Sequence, residues 1–168
     1  MRLAPFAAAV LLAAPAFADG HVIENLSGTL LDREGNNIGS VAVLQTASGI
    51  VRLTVAGIDM EPGAYGIHFH ETGVCEGDFS SAGGHIGEGD SNHGLVAGGP
   101  HAGDNPNGFV PEGATALNYE SFNERISFEQ LLDADGAALI VHSGPDDYVS
   151  QPSGDAGDRI ACSVLEND

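Results

Sequence analysis

The segment from residue 71 to residue 109 is the feature that most constrains how this chain can fold. It contains eleven glycines and two prolines, and it shows neither the alternation of a strand nor the periodicity of a helix. A segment of this length without regular structure is uncommon in a compact domain unless it has a function of its own. Hydrophobic packing alone cannot order such a segment, so we expect its polar side chains to bind something that does.

Histidine, the commonest metal ligand among side chains, is concentrated in and around this segment. Six of the seven histidines are His68, His70, His85, His93, His101 and His142. This density predicts a metal site. Three imidazoles together with the carboxylate of Asp104 would suit a closed tetrahedral zinc site, whereas imidazoles alone would suit copper. The residue types do not say which histidine serves which metal.

The run 64–70 is predicted to be a strand that orients two of these histidines. Its apolar residues alternate with His68 and His70. Because successive side chains of a strand point to opposite faces, the apolar residues can enter the core while both imidazoles project together from the other face. The two histidines would then form a rigid half of a metal site.

Short extended runs separated by turns make up much of the remaining chain. In the run 50–55, Val51, Leu53 and Val55 alternate with Arg52 and Thr54, which is the period of a half-buried strand. The other predicted strands are 21–31, 41–45, 114–119, 126–128, 137–142 and 159–165, and 128–132 is predicted to form a helical turn. This pattern favours an all-β, antiparallel sandwich or barrel, with two long functional loops at 71–109 and 143–158.

The first residues are typical of a secretory signal peptide. The basic start Met1-Arg2 precedes an apolar, alanine-rich run over residues 3–15, and Ala16-Phe17-Ala18 fits a cleavage site. The apolar run is too short to span a membrane. We therefore predict a signal peptide over residues 1–18 and a single domain over residues 19–168, exported to the periplasm or secreted beyond it.

The mature chain would be strongly acidic. Loss of Arg2 with the leader leaves four arginines, no lysine and 24 acidic residues, which gives a formal charge of −20. Nucleic acid and anionic membranes are therefore poor partners. The charge favours solubility, and it can also attract metal cations.

Cys75 and Cys162 are the two cysteines of the chain. In an exported protein such a pair indicates one disulfide, which would close a loop of nearly ninety residues and stabilise the fold by roughly 4–5 kcal/mol. Two buried free thiols are the alternative. Thiolate ligation of a metal is less favoured, because neither cysteine belongs to a C-x-x-C pair.

Four motifs give the chain a close resemblance to a known family. They are Gly66-Ile67-His68-Phe69-His70-Glu71, Ser81-Ala82-Gly83-Gly84-His85, His101-Ala102-Gly103-Asp104 and Gly157-Asp158-Arg159-Ile160-Ala161-Cys162. Together they resemble copper/zinc superoxide dismutase of the bacterial exported kind, and the resemblance runs through essentially the whole mature chain.

The resemblance implies a role for each site residue. Copper would be bound by His68, His70, His85 and His142, and zinc by His85, His93, His101 and Asp104. His85 would bridge the two metals, and Arg159 would stand beside the copper. Asp146 would link a copper histidine to a zinc histidine, and Cys75 and Cys162 would form the family's disulfide.

The resemblance also implies a Greek-key sandwich and the dismutation of superoxide to dioxygen and hydrogen peroxide. Copper would cycle between oxidation states, while zinc would order the loop and tune His85, which can carry a proton. A periplasmic copper/zinc binding protein without turnover is the alternative, and the presence of Arg159 with every expected ligand favours the enzyme. A purely structural sandwich does not explain the histidines. The sequence leaves monomer and homodimer open.

The overall charge conflicts with an anionic substrate. Positive charge at the metals and Arg159 can dominate locally, because the Debye length is only about 8 Å at physiological salt. The segment 143–158 contains no lysine, whereas many relatives carry basic residues there that attract superoxide. We therefore predict a weak or reversed dependence of the rate on salt.

Overall fold

The computed structural model describes residues 25–57 and 59–167. The predicted signal peptide, the predicted start of the mature domain at Asp19, and His21 lie outside the described residues. No helix in the described part of the chain is long and apolar enough to cross a membrane.

The regular secondary structure of the described chain is almost entirely β, as the sequence predicts. The strands are β1 Asn25–Asp32, β2 Asn37–Gln45, β3 Val51–Gly57, β4 Gly63–Tyr65, β5 Ile67–His70, β6 Gly108–Val110, β7 Leu117–Asn123, β8 Ala138–His142, β9 Arg159–Val164 and β10 Glu166–Asn167, and a helical turn, α1, covers Phe128–Leu131. A curled sheet has the order β5-β8-β9-β1-β2-β3-β7, with β10 also paired to β1, while β4 and β6 form a separate ribbon. Each of these pairings is antiparallel.

Alternating burial explains the strands at one end of this sheet. In β3 Val51, Leu53 and Val55 are buried, and Arg52 and Thr54 are not. In β7 every second residue from Leu117 to Asn123 is buried. The buried side chains of both strands face the main core, which also contains Phe69 of β5.

The strand β8 is buried at all five positions because it is covered on both faces. Leu139 and Val141 belong to the main core. Ala138 and Ile140 belong to a second cluster of buried residues, which also contains Phe79, Ala82 and Cys162. The second cluster packs part of the loop after β5 against the sheet, so that loop is anchored near the histidines.

Two strand predictions were wrong in detail. The predicted strand 64–70 is divided at Gly66, whose N–H donates to the carbonyl oxygen of Gly144 at 2.8 Å. A Cβ at Gly66 would lie 2.9 Å from the Cβ of Ala156, so only glycine allows this close approach. The chain therefore leaves the β4–β6 ribbon at this point and joins β8 as β5.

The predicted strand at 126–128 does not form. Ser127 is instead the N-cap of α1, and its hydroxyl accepts a hydrogen bond from the backbone of Gln130. The Gln130 side chain accepts in return from the Ser127 N–H, which completes a capping box. The predicted helical turn at 128–132 is confirmed.

The two predicted long loops connect β5 to β6 and β8 to β9. We call residues 71–107 the metal loop and residues 143–158 the second loop. The metal loop contains a 3-10 turn at Ser80–Ala82. The two loops touch, because the Leu95 N–H donates to the Tyr148 carbonyl oxygen at 2.7 Å. Gly94 has φ 73°, and a Cβ there would clash with the Tyr148 main chain, so glycine is required at this crossing.

Candidate metal centre

Two groups of four potential ligands share one residue, and a third group, formed by His68, His93 and Asp146, takes one histidine from each. The first group is His68, His70, His85 and His142, and the second group is His85, His93, His101 and Asp104. Within each group the ligand atoms lie within 4.8 Å of one another. We refer to them as the four-histidine set and the carboxylate set.

The sheet and the metal loop together position these side chains. His68 and His70 lie on β5, and His142 ends the neighbouring strand β8. The metal loop returns to the other edge of β5, where the Phe69 N–H donates to the Gly103 carbonyl oxygen and the Ile86 N–H donates to the Phe69 carbonyl oxygen, at 2.9 and 3.0 Å. These hydrogen bonds bring His85 and Asp104, which neighbour Ile86 and Gly103 in the chain, next to the strand histidines.

Each of the six histidines has one buried ring nitrogen without a hydrogen-bond partner. These atoms are His68 Nδ1, His70 Nε2, His85 Nε2, His93 Nδ1, His101 Nδ1 and His142 Nε2. An unpartnered buried polar atom costs about 1–3 kcal/mol, so six of them in two adjacent groups would strongly destabilise the fold. Bound metal ions would remove this cost, and the residues present therefore fit metal ligation.

The second ring nitrogens of three strand histidines are hydrogen-bonded, which fixes their orientation. His68 Nε2 lies 2.9 Å from Asp146 Oδ2, and His70 Nδ1 lies 3.0 Å from the Gly83 carbonyl oxygen. His142 Nδ1 lies 3.3 Å from the Gly157 carbonyl oxygen. Because these acceptors are oxygens, each of these nitrogens carries the proton. The unpartnered nitrogen is then the one with a free lone pair for a metal.

His85 faces both groups. Its Nδ1 lies 2.8 Å from Asp104 Oδ1 in the carboxylate set, while its Nε2 is the unpartnered atom of the four-histidine set. The Nδ1 atoms of His93 and His101 lie 3.1 and 3.3 Å from the same carboxylate oxygen. Four ligands around a tetrahedral zinc ion would lie about 3.3 Å apart, so the carboxylate set is close to the arrangement that zinc requires.

Burial keeps three histidines of the four-histidine set neutral. It lowers the pKa of His85 to about 4 and that of His142 to about 3. Burial also lowers the pKa of His70 well below its usual value. At neutral pH these three imidazoles are therefore in the form that binds a metal.

Paired charges dominate the carboxylate set. Burial alone would raise the pKa of Asp104, but its hydrogen bond with His85 and the adjacent imidazole of His93 lower it well below its usual value. Burial alone would lower the pKa of His93, but the adjacent carboxylate of Asp104 and the hydrogen bond with Asp146 raise it to about 9. Without metal, His93 is therefore protonated between two carboxylates. A divalent cation in the carboxylate set would replace the proton on the side of Asp104.

Asp146 joins the two groups from the second loop. Its Oδ2 pairs with His68 Nε2 and its Oδ1 with His93 Nε2, both at 2.9 Å. The main chain of Asp146 is held by the side-chain amide of Asn107, whose Oδ1 accepts from the Asp146 N–H and whose Nδ2 donates to the Asp146 carbonyl oxygen, both at 2.8 Å. The carboxylate therefore orients one histidine of each group.

Two further amides that the sequence analysis missed support the carboxylate set. Gln151 in the second loop makes a pair of hydrogen bonds with the main chain of His93, at 2.8 and 2.9 Å. Asn123, buried at the end of β7, donates to the main-chain oxygens of Ala102 and Asp104 at 2.9 and 3.3 Å. The predicted strand 114–119 ended before Asn123, and the sequence offered no signal for either residue.

Arg159 begins β9 and lies beside the four-histidine set. It pairs across the sheet with His142. Its two terminal nitrogens donate to the carbonyl oxygens of Phe79 and Gly83, at 2.6 and 2.7 Å. The Gly83 oxygen also accepts from His70, so the guanidinium is fixed relative to one of the strand histidines.

The predicted disulfide between Cys75 and Cys162 is present, with a Cα–Cα distance of 5.8 Å. Cys162 is fully buried and packs in the second cluster with Phe79. The bond therefore ties the part of the metal loop that carries the Phe79 and Gly83 carbonyls to β9, the strand that begins with Arg159.

Comparisons with known proteins identify a family that this chain is similar to. The family described as copper/zinc superoxide dismutase (SODC) matches residues 37–165. Superoxide dismutase [Cu-Zn] 1 of Aquifex aeolicus (strain VF5) is 36% identical over 145 residues, which are 82% of this chain and 85% of that protein. Superoxide dismutase [Cu-Zn] of Caulobacter vibrioides is 37% identical over 145 residues, which are 79% of this chain and 80% of that protein.

Solved structures resemble this fold as well. A SOD-like protein from Bacillus subtilis has a TM-score of 0.76 and 31% identity, covering 83% of this chain and 97% of its own. The Cu/Zn superoxide dismutase from Brucella abortus has a TM-score of 0.70 and 26% identity, covering 85% of this chain and 100% of its own.

Proposed function

Because the chain belongs to the copper/zinc superoxide dismutase family, we propose that its two ligand groups hold the metals with which it dismutes superoxide. The enzyme is an oxidoreductase that converts two superoxide ions and two protons into dioxygen and hydrogen peroxide. The observation that carries the assignment of residues is the set of six unpartnered ring nitrogens, which fall into two groups that share His85.

The donor types divide the metals between the groups. We assign copper to His68, His70, His85 and His142, because imidazole nitrogens suit copper. We assign zinc to His85, His93, His101 and Asp104, because three imidazoles and a carboxylate suit a closed tetrahedral zinc site. His85 serves both, with Nε2 toward the copper group and Nδ1 toward the zinc group.

Copper supplies the redox chemistry, because it changes oxidation state and zinc does not. Arg159 offers a fixed positive charge beside the four-histidine set for the superoxide anion. His85 can hold a proton at Nε2, the atom on the copper side, and so provide one of the two protons that hydrogen peroxide requires. Asp146 fixes the ring orientations of His68 and His93 relative to each other, which preserves the geometry of both groups.

The direct test combines metal content with superoxide consumption in one sample of the mature protein. We expect about one copper and one zinc per chain together with rapid consumption. Arg159→Ala should slow consumption and leave both metals in place, because its contacts are with main-chain oxygens and not with ligand nitrogens. Full metal occupancy without consumption in the unmodified protein would instead support the metal-binding alternative, which the named relatives do not favour.

The bridging role of His85 has a separate test. Removal of zinc from the copper-loaded protein should change the electron paramagnetic resonance spectrum of copper, because the two groups share this imidazole. His101→Ala is the matched variant, since it belongs to the carboxylate set alone and should reproduce the change. An unchanged copper spectrum after complete zinc removal would contradict the bridge.

We further propose that the protein is exported to the periplasm, which agrees with the disulfide, since such bonds persist in oxidising compartments. Superoxide is its small-molecule partner, and the acidic chain has no nucleic-acid or membrane partner. It acts as a monomer or a homodimer. Mass spectrometry of the protein from the periplasmic fraction should find a chain that begins at Asp19. A chain recovered from the cytoplasm with residues 1–18 intact would contradict export.

A further inference from the structure

The acidic chain has few positive charges with which to attract superoxide. Among its four mature arginines, Arg52 is paired with Glu120, with 2.6 Å between the charged atoms. It lies on β3, which is separated from β9 by β2 and β1 in the sheet. Arg125 follows β7 and lines a groove with Asp104, so it lies on the side of the carboxylate set. This leaves Arg33 and Arg159 as the arginines to consider on the copper side.

Arg33 makes direct contact with Arg159. Its Nε donates to the Arg159 carbonyl oxygen at 2.7 Å. Strand pairing explains the contact, because Asp32 at the end of β1 pairs with Ala161 of β9. The turn that follows β1 therefore lies over the start of β9.

The turn that carries Arg33 is fixed by its own hydrogen bonds. The Asp32 carboxylate accepts from the N–H groups of Glu34 and Asn36 at 3.0 and 2.8 Å. It also accepts from the side-chain amide of Asn36 at 2.8 Å. The backbone of Arg33 is thus held, and its guanidinium remains at the surface next to Arg159.

Carboxylates near Arg159 make this second cation important. Burial lowers the pKa of Arg159, and the charges of Asp78 and Glu88 act in the opposite direction. The pKa of Asp78 is lowered mainly by hydrogen bonds from Ser80, and the charge of Arg33 adds a smaller lowering. Asp78 is therefore shared between two guanidinium groups. Without Arg33, two carboxylates would act on Arg159 with no second cation to offset them.

We propose that Arg33 is a positioning residue that attracts the superoxide anion toward the copper group, as a second cation next to Arg159. This inference rests on the proposed function. The second loop contains no lysine and cannot attract superoxide in this way, so the inference gives this role to the turn after β1. Arg33 acts through its charge, and it touches neither ligand group.

The test compares Arg33→Gln with Arg52→Gln in the copper- and zinc-loaded protein. Both variants remove one positive charge, so they change the net charge equally. At low ionic strength Arg33→Gln should lower kcat/KM about two- to fivefold, whereas Arg52→Gln should change it little. The difference should shrink as salt is added, because screening shortens the range of the charge. Metal content and Tm should match the unmodified protein.

A second readout does not depend on turnover. Azide is a small anion that binds copper, and its dissociation constant can be measured by spectrophotometric titration. Arg33→Gln should weaken azide binding about two- to fivefold at low salt, and Arg52→Gln should not. Arg33→Lys should restore both azide binding and kcat/KM, because it keeps the charge while losing the planar guanidinium.

Three outcomes would overturn the inference. Equal effects of Arg33→Gln and Arg52→Gln would mean that only net charge matters. Failure of Arg33→Lys to restore function would mean that Arg33 acts through its hydrogen bond to Arg159. Unchanged azide affinity in Arg33→Gln would mean that its charge does not reach the copper group. A protein that binds azide as expected but consumes no superoxide would refute the proposed function, and Arg33 would then attract small anions to the copper group without serving dismutation.

Discussion

Reduction of the Cys75–Cys162 disulfide provides a quantitative test of how the metal loop is held. The bond joins residues 87 positions apart. The chain-entropy relation for a loop of this length gives roughly 4–5 kcal/mol at 25 °C. We expect the metal-free protein to lose about this much of its free energy of unfolding when the bond is reduced. The native state should lose little packing, because Cys162 remains enclosed by Phe79 and Ile140.

Chemical denaturation of the metal-free protein with and without reductant measures this loss. Removing the metals matters, because bound metal adds its own stabilisation and makes the free energy of unfolding depend on metal concentration. Far-UV circular dichroism is the suitable signal, since the chain contains no tryptophan. The double variant with both cysteines changed to alanine should resemble the reduced protein and should not respond to reductant.

The reasoning fails if the reduced and oxidised proteins differ by less than about 1 kcal/mol in free energy of unfolding, which is well below the chain-entropy value. Such a result would mean that the unfolded chain already keeps the two ends together. A loss with reductant in the double alanine variant would show that reductant acts elsewhere. The reduced, metal-loaded protein should also hold Arg159 less firmly, because the Phe79 and Gly83 carbonyls belong to the tethered part of the metal loop.

Three further predictions follow from the hydrogen bonds and charges of the site. Asn123→Asp keeps the shape but replaces the buried amide donor with a carboxylate facing carbonyl oxygens, so zinc affinity should fall about 10–100-fold in a chelator competition; unchanged affinity would contradict its supporting role. Asp146→Ala should weaken zinc binding about 10–100-fold and alter the copper spectrum, because one histidine of each group loses its acceptor; an effect on only one metal would contradict the link. In the metal-free protein, the pKa values of His85 and His142 are about 4 and 3, below the unfolded value of 6.5, so the free energy of unfolding should fall as the pH drops below 6.5. The pKa of His93 is about 9, above the unfolded value, so the free energy of unfolding should also fall as the pH rises from 6.5 to 9 and His93 loses its proton. Thermal unfolding against pH should therefore show a maximum near pH 6.5, and a steady rise with acid would refute this.

The parts of the fold that could be predicted are those in which the type of each side chain indicates its environment. The alternation of β3 predicts its buried face. The density of histidines predicts metal ligands, whereas the grouping of those ligands is implied only by the resemblance of the motifs to the family. The break at Gly66 was missed because the apolar alternation continues through it. Only the approach of Ala156 and Gly144, from the second loop, makes that glycine a point where the chain changes partner.

The supports of the site could not be predicted for a different physical reason. Arg159 is fixed by the carbonyl oxygens of Phe79 and Gly83, and every residue of the chain has such an oxygen, so residue type gives no indication of the contact. Arg33 likewise meets a main-chain oxygen, 126 positions away. Asn123 was missed for a related reason, because its partners are also main-chain oxygens and it lies beyond the predicted strand 114–119. At this end of β7 the apolar Phe122 is exposed and the polar Asn123 is buried, so the polarity of the residues does not reveal which face is inside. A buried amide must find hydrogen-bond partners, and only the fold shows that Asn123 is buried and that its partners belong to the carboxylate set.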